Sequence, residues 1–334
     1  MKIAVIGAGA IGGLVAGYLK SKGEDVSVVA RPEAAKAIQE KGLAISGVRG
    51  DFDVAIDASE RLDYNPGLAI LCTKTQDIAA ALEANRSFLK DTIILTTQNG
   101  VRADEIVSKY FAKDKIISSI VMFGSTMIAP AEIVHNFEGK WIIGSIFGAN
   151  GARAEEIAKV LNHIFPVQLS DELKGMKYLK VFVNANNCIP AVLGKSMQEC
   201  FSDIEISKIS IGIWKEGLGI VQKSGIKLVS LPDFPLERMI QLASAPTEIA
   251  GKIYSGIMTN LSKAPLYGSI LQSIKRGKAS EIDYINGEFV HLAKENNLAA
   301  PLNEKLVEMV HEVEQSKKFF SKEDLLSRAK GLYN

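Results

Sequence analysis

The chain has 334 residues, 47% of them apolar, and a net charge of +1 from 39 basic and 38 acidic side chains. That length accommodates two domains, and that apolar content argues against disorder. The charge balance removes any electrostatic case for a nucleic-acid partner, and no apolar run reaches the roughly 18 residues that a membrane span needs.

The first predicted element is a strand over 3–6. It leads directly into Gly7-Ala-Gly9-Ala-Ile-Gly12 and then into a helical pattern over 14–20. Strand, glycine turn and helix form the context in which G-x-G-x-x-G reads as a dinucleotide-binding fingerprint. Gly7 makes the tight turn, Gly9 lets the backbone approach a pyrophosphate, and Gly12 lets the helix pack close to the strand. The anion then sits on the N–H groups of the helix start, so Gly7, Gly9, Ala10, Ile11 and Gly12 are the expected cofactor contacts. The second strand, 25–30, ends at Arg31. An NAD-specific fold usually places Asp or Glu there to hold the ribose 2′-hydroxyl, whereas an Arg suits the 2′-phosphate of NADP. The plain alternative is a solvated Arg before Pro32.

A helix over 34–41 follows, then a short hairpin over 43–46 and 52–56. Next come a buried strand over 68–73, a helix over 77–89, a strand over 92–97, a helix over 104–111 and a strand over 116–122. Such alternation predicts a parallel doubly wound sheet. Residues 132–135 and 141–144, around Gly139, read as an antiparallel pair. A helix over 152–164 and a strand over 167–169 close this half. From about residue 171 the pattern turns helical, with long apolar-periodic segments over 173–193, 204–224, 235–243, 280–296 and 301–319. The expected fold class is therefore α/β: a Rossmann-type doubly wound sheet in residues 1–170 and an all-helical domain in 171–334. A continuous helix is expected to join them, with the substrate held in their cleft.

Cys72, Cys188 and Cys200 are odd in number and form no C-x-x-C pair, which fits reduced thiols in a cytoplasmic protein. The four histidines lack metal-ligand spacing, so no metal is expected. A strand beginning near residue 2 leaves no room for a signal peptide.

Several polar residues stand out. Asn99 follows a strand at the carboxyl edge of the sheet, where ligands bind in such folds, although Asn-Gly is also ordinary turn chemistry. Lys74 ends another strand at the same edge and is otherwise a solvated loop lysine. Lys180, Asn184 and Asn187 lie at i, i+4 and i+7 in an apolar helical pattern, so they share a face. Asparagine is a poor helix former, and a buried amide without partners costs roughly 1–3 kcal/mol. A polar ligand or an interhelical hydrogen-bond network would offset that. A lysine there suits protonation or stabilisation of an alkoxide. Ser280 reads as a helix N-cap, with Asp283 in the capping-box position.

Taken together, Gly7-x-Gly9-x-x-Gly12, Arg31, Lys74, Gln98-Asn99-Gly100, Lys180-x-x-x-Asn184 and Ser280-Glu281-Ile282-Asp283-x-x-Asn286-Gly287 resemble the ketopantoate reductase (2-dehydropantoate 2-reductase) family over nearly the full length. The resemblance implies NADPH-dependent reduction of a 2-keto acid, ketopantoate, in pantothenate and coenzyme A biosynthesis. It implies Lys180 as general acid, with Asn99 and Glu281 completing the catalytic set. Asn184, Ser269 and Glu281 would bind substrate, and Arg31, Lys74 and Asn99 would join the glycine loop at the cofactor. A homodimer is compatible with this reading. Many members carry a second substrate-facing Asn four residues after Asn184, where this chain has Cys188. Asn187 is about 100° away on an ideal helix and does not replace it. Two other readings therefore stand beside the first: an NADP-dependent reductase of another 2-keto acid, and a non-catalytic NADPH-binding protein.

Overall fold

The computed structural model describes residues 1–333. The chain forms two compact units, Met1–Lys174 and the remainder from Gly175 onward. The first unit begins β1 (Ile3–Ile6), α1 (Ala10–Ser21), β2 (Val26–Val29), α2 (Pro32–Lys41), β3 (Leu43–Gly47), β4 (Phe52–Val54), β5 (Asp57–Ser59), β6 (Leu68–Leu71) and α3 (Ile78–Asn85). It continues β7 (Ile93–Thr96), α4 (Arg102–Ser108), β8 (Ile116–Val121), β9 (Gly124–Ala129), β10 (Glu132–Phe137), β11 (Trp141–Gly144), α5 (Ala152–Leu161) and β12 (Val167–Leu169).

Eight strands form one sheet in the order β12-β11-β8-β7-β6-β1-β2-β5. Pairing is parallel from β5 through β8, and β11 joins β8 antiparallel. The run β5-β2-β1-β6-β7-β8 reverses its winding beside β1, the doubly wound plan in which ligands bind at the carboxyl ends of the strands. Its strands are short apolar runs because both faces are covered. Ile3, Val5, Val28, Leu68 and Ile70 enter one core cluster, while Ala4, Ile6, Val29, Ala69 and Leu71 enter the other. The two-residue period of a strand produces this division.

A second sheet, β4-β3-β10-β9, covers the outer side of α1. The β3–β4 hairpin pairs Leu43 with Val54, as the sequence suggests. The reading of 132–135 and 141–144 as partners is corrected: β10 pairs with β9 and β3, whereas β11 pairs with β8 and β12. The fully buried Trp141 explains the choice, since its indole N–H donates to Ser119 Oγ of β8 at 2.9 Å. β9 carries no strong apolar alternation and escapes the sequence reading.

Among its described residues the second unit is helical, apart from one isolated bridge between Leu231 and Phe234. Its helices are α6 (Leu173–Ala185, which begins just before the unit boundary), α7 (Cys188–Leu193), α8 (Met197–Phe201), α9 (Ile204–Lys223) and α10 (Leu236–Ser244). α11 (Thr247–Thr259), α12 (Ser269–Lys275), α13 (Asn286–Glu295), α14 (Pro301–Ser316) and α15 (Lys322–Ala329) complete it. Two expected helices are broken. The one over 173–193 stops at a turn formed by Asn186 and Asn187, where the Asn186 amide leaves to donate to Tyr254 OH at 2.9 Å. Such side-chain bonds compete with helix continuation. The one over 280–296 divides into a 3-10 turn, Ile282–Tyr284, and α13, neither of which has a side-chain cap. Ser280, the expected N-cap, accepts from Ile282 N–H through its hydroxyl at 3.3 Å, and the Asp283 carboxylate meets His311 at 3.0 Å.

Glycine spacing on α1 yields a stability test. A Cβ on Gly12 would run into the Gly7 carbonyl oxygen, whereas one on Gly9 would meet nothing within 4 Å. Gly12→Ala should cost about 2 kcal/mol or more in urea unfolding, as backbone overpacking does. Gly9→Ala should leave the midpoint close to that of the parent, and equal losses in the two variants would refute this account.

Candidate active site

The residues singled out from the sequence fall into two groups, one in each unit. In the first unit, they cluster at the carboxyl ends of four neighbouring strands. Gly7 follows β1 with φ +108°, a conformation that favours glycine, and a Cβ there would lie 2.7 Å from Thr73 N. Gly9 is the N-cap of α1, and the first helical bond is Gly13 N–H to Gly9 O at 2.8 Å. The amides of Ala10, Ile11 and Gly12 thus precede that bond, as the orphan donors of a helix start do. The open space over Gly9 and these donors fit a pyrophosphate.

Arg31 stands at the N-cap of α2, just beyond β2. Its side chain is 75% exposed and so accessible to a ligand, and its guanidinium donates to Asp77 Oδ2 at 3.1 Å. Asp77 was not apparent from the sequence as a partner of Arg31. Lys74, part-exposed, precedes the 3-10 turn Thr75–Asp77 after β6. Asn99 is part-exposed after β7, and the φ of +80° at Gly100 confirms the Asn-Gly turn. Beside it, Gln98 is buried and donates to Leu71 O and Thr73 O, both at 2.9 Å. Gln98 thereby ties the ends of β6 and β7 together and sets the path of the 97–101 turn. Cys72 packs beneath Gly12, and burial pushes its thiol up to about 12, so it is inert packing.

In the second unit, Lys180 and Asn184 lie one turn apart on α6, part-buried, on the same face. Burial pushes the Lys180 ammonium down to about 8, near the pH at which a proton donor works. Cys188, by contrast, is 0% exposed in the core of this unit, its thiol contacting the Asn286 side chain. A residue so placed cannot face a substrate. Asn187 lies in the break between α6 and α7 instead, and its side chain packs so tightly on Gly268 that a Cβ there would be 2.9 Å away. Gly268 in turn precedes Ser269, the exposed first residue of α12. Glu281 is the N-cap residue of the 3-10 turn Ile282–Tyr284. The helix break thus draws Asn187 toward Ser269, which ideal helical geometry did not anticipate.

The chain is similar to known proteins over most of its length. The chain matches ketopantoate reductase PanE/ApbA over residues 3–148 and ketopantoate reductase PanE/ApbA C terminal over residues 172–314. A 2-dehydropantoate 2-reductase of Pyrococcus abyssi is 31% identical over 306 residues, covering 91% of this chain and 94% of the relative. The PanE/ApbA family ketopantoate reductase of Ralstonia eutropha JMP134 has the same fold, with a TM-score of 0.80 at 23% identity over 95% of this chain and 99% of that one. D-mandelate dehydrogenase, solved with NADH and anilino(oxo)acetate, also superposes with a TM-score of 0.80 at 24% identity, over 95% of this chain and 99% of that one. Two family matches that together span most of the chain, and a relative above 30% identity over nearly all of it, make this protein an oxidoreductase of the ketopantoate reductase family.

Proposed function

We propose that this protein reduces ketopantoate to pantoate with NADPH, in a reducing compartment such as the cytoplasm, and so serves pantothenate and coenzyme A biosynthesis. The observation that carries this reading is the pairing of Lys180 with Asn184 on one face of α6, with an ammonium poised near 8, in a chain of this family. In this reading Gly7, Gly9, Ala10, Ile11, Gly12, Arg31, Lys74 and Asn99 of the first unit would hold the cofactor, and NADPH there would supply a hydride for C2 of the keto acid. Lys180 hydrogen-bonds the ketone oxygen and gives up its proton as that oxygen becomes a hydroxyl. Asn184 and Ser269 orient the keto acid, and Asn99 would help hold the cofactor and complete the catalytic set. Glu281 accepts a hydrogen bond from the substrate's own 4-hydroxyl, which favours ketopantoate over plain keto acids.

A second reading, reduction of another 2-keto acid, draws on the shared fold with D-mandelate dehydrogenase, solved with NADH and anilino(oxo)acetate. A panel of 2-keto acids followed by NADPH oxidation separates the two. Ketopantoate should give the highest kcat/KM, and a clearly better substrate without a 4-hydroxyl would replace the first reading.

Cofactor preference follows from Arg31. NADPH should bind more tightly than NADH, and Arg31→Ala should remove about ten- to a hundredfold of the gap, the value of one charge-assisted contact. Titration by fluorescence measures both, and equal affinities in the parent protein would refute NADP specificity. Gly9→Val should abolish NADPH binding while circular dichroism stays near-native, because its side chain would point into space that no protein atom fills. Unchanged affinity would remove the glycine loop from the cofactor site.

Lys180→Ala should lower kcat about 10²- to 10⁴-fold with NADPH affinity kept, the usual effect of losing a general acid. In the parent, kcat should fall as pH rises through about 8, because the deprotonated amine has no proton to give. The same depression has an opposite effect on stability. The unfolded chain binds the extra proton above about 8, so stability gains as pH climbs from there toward the ordinary lysine range. A flat kcat–pH profile together with near-normal kcat in Lys180→Ala would exclude this role.

A further inference from the structure

Within the segment that carries Glu281, Ser280 Oγ accepts from Ile282 N–H at 3.3 Å and Tyr284 N–H donates to Glu281 O at 2.9 Å. A second set of contacts comes from α14. His311 places Nε2 3.0 Å from Asp283 Oδ1 and Nδ1 3.1 Å from Glu314 Oε2. Glu314 reaches back with its other oxygen, and Ser280 N–H donates to Glu314 Oε1 at 2.6 Å. The residue before Glu281 and the residue two after it are therefore both tied to α14 through one imidazole and one carboxylate.

The protonation state of His311 follows from its partners. Ionised carboxylates only accept hydrogen bonds, and a neutral imidazole donates from one nitrogen alone. Both contacts are satisfied together only by the imidazolium. We propose that His311, as an imidazolium, is a positioning residue that ties the Ser280–Asp283 segment to α14 and thereby fixes the Glu281 carboxylate. The proposal rests on the reading that Glu281 faces the substrate.

Burial lowers the ring's pKa, but hydrogen bonds and charge from Asp283 and Glu314 outweigh it, and the net shift is upward. Asp283 comes from the 3-10 turn and Glu314 from α14. α13 packs on both and carries Glu288, His291, Lys294 and Glu295, of which His291 pairs with Glu295 on its own helix. Because the folded value is raised, the tie holds at and below the ordinary histidine range and loosens as pH rises through the shifted value.

The test compares the full-length parent with His311→Gln and His311→Lys. Amide hydrogen exchange by mass spectrometry over residues 280–285 is read together with KM and kcat for the keto acid. His311→Gln should speed exchange in that segment about five- to tenfold at pH 6.5, a discounted value for a half-exposed charge-assisted tie. It should raise KM by a similar factor, with kcat within about twofold, since the proton donor is untouched. His311→Lys, which keeps the cation, should restore both. The parent's segment should loosen relative to α9 amides on raising the pH, and the lysine variant's should not. Unchanged exchange in His311→Gln, equal loosening throughout α9, or no rescue by lysine would each overturn the proposal. If the parent turns over no 2-keto acid, the substrate reading fails, while the exchange data still decide whether His311 holds the segment.

Discussion

Helix α1 lies so close to its neighbours that side chains are excluded on two of its faces, and the first unit is organised around that constraint. On one face, Gly12 abuts the Gly7 carbonyl, which brings the helix start directly onto the end of β1. On another, Gly13 abuts Ile133, and a Cβ on Gly17 would stand 3.0 Å from Ile45, so the second sheet packs onto the helix at backbone distance. Close approach keeps the first amides of α1 beside the carboxyl ends of β1, β2, β6 and β7. That is where Arg31, Lys74 and Asn99 also stand.

A polar anchor completes the contact. Tyr18 OH donates to His135 Nδ1 at 2.8 Å, and His135 Nε2 donates to Phe137 O at 3.0 Å. Both ring nitrogens are thereby satisfied in the neutral form, and burial, the largest influence on this ring, lowers its pKa. Arg49 stacks 4.8 Å from the Tyr18 ring and 4.7 Å from the Phe165 ring while pairing with Glu138. The second sheet is thus held to α1 by packing, a neutral hydrogen-bonded histidine and a stacked guanidinium, with no charge left unpaired among these groups.

The helical unit uses buried amides where the first unit uses glycines. Glu216 of α9 accepts from the backbone N–H of Leu302 and of Asn303, both at 2.9 Å, and so caps α14 from another helix. An anion at that helix start also meets the favourable end of the helix dipole. Asn303 Oδ1 accepts from the Asn286 amide at 2.9 Å, and Asn286 in turn contacts Cys188. This chain of contacts links α9, α14, α13 and α7 around the segment that bears Glu281. It also explains why a thiol occupies position 188: the site is interior packing beside an amide, and a small, weakly polar group suits it.

What the sequence determined by itself is what depends on neighbours within a few residues. Gly7, Gly9 and Gly12 announce the turn and the helix start because steric demands on φ and on Cβ are local. Apolar strands of four residues announce a sheet buried on both faces for the same reason, and Lys180 and Asn184 share a face because helical spacing is fixed. What spans many residues was not legible. One partner of β10 is β3, which precedes it by 85 residues or more, and Ile133 of β10 and Ile45 of β3 both pack against α1. The break at Asn186-Asn187 depends on Tyr254, the orientation of Arg31 on Asp77, and the hold on Ser280 on Glu314 and His311. Each is a side-chain contact between segments 28 to 68 residues apart, brought together only by the folded chain, and the Asn186–Tyr254 bond is one whose burial would make an unpaired amide costly. Tertiary structure decided them because burial is a property of the folded chain and not of any stretch of it.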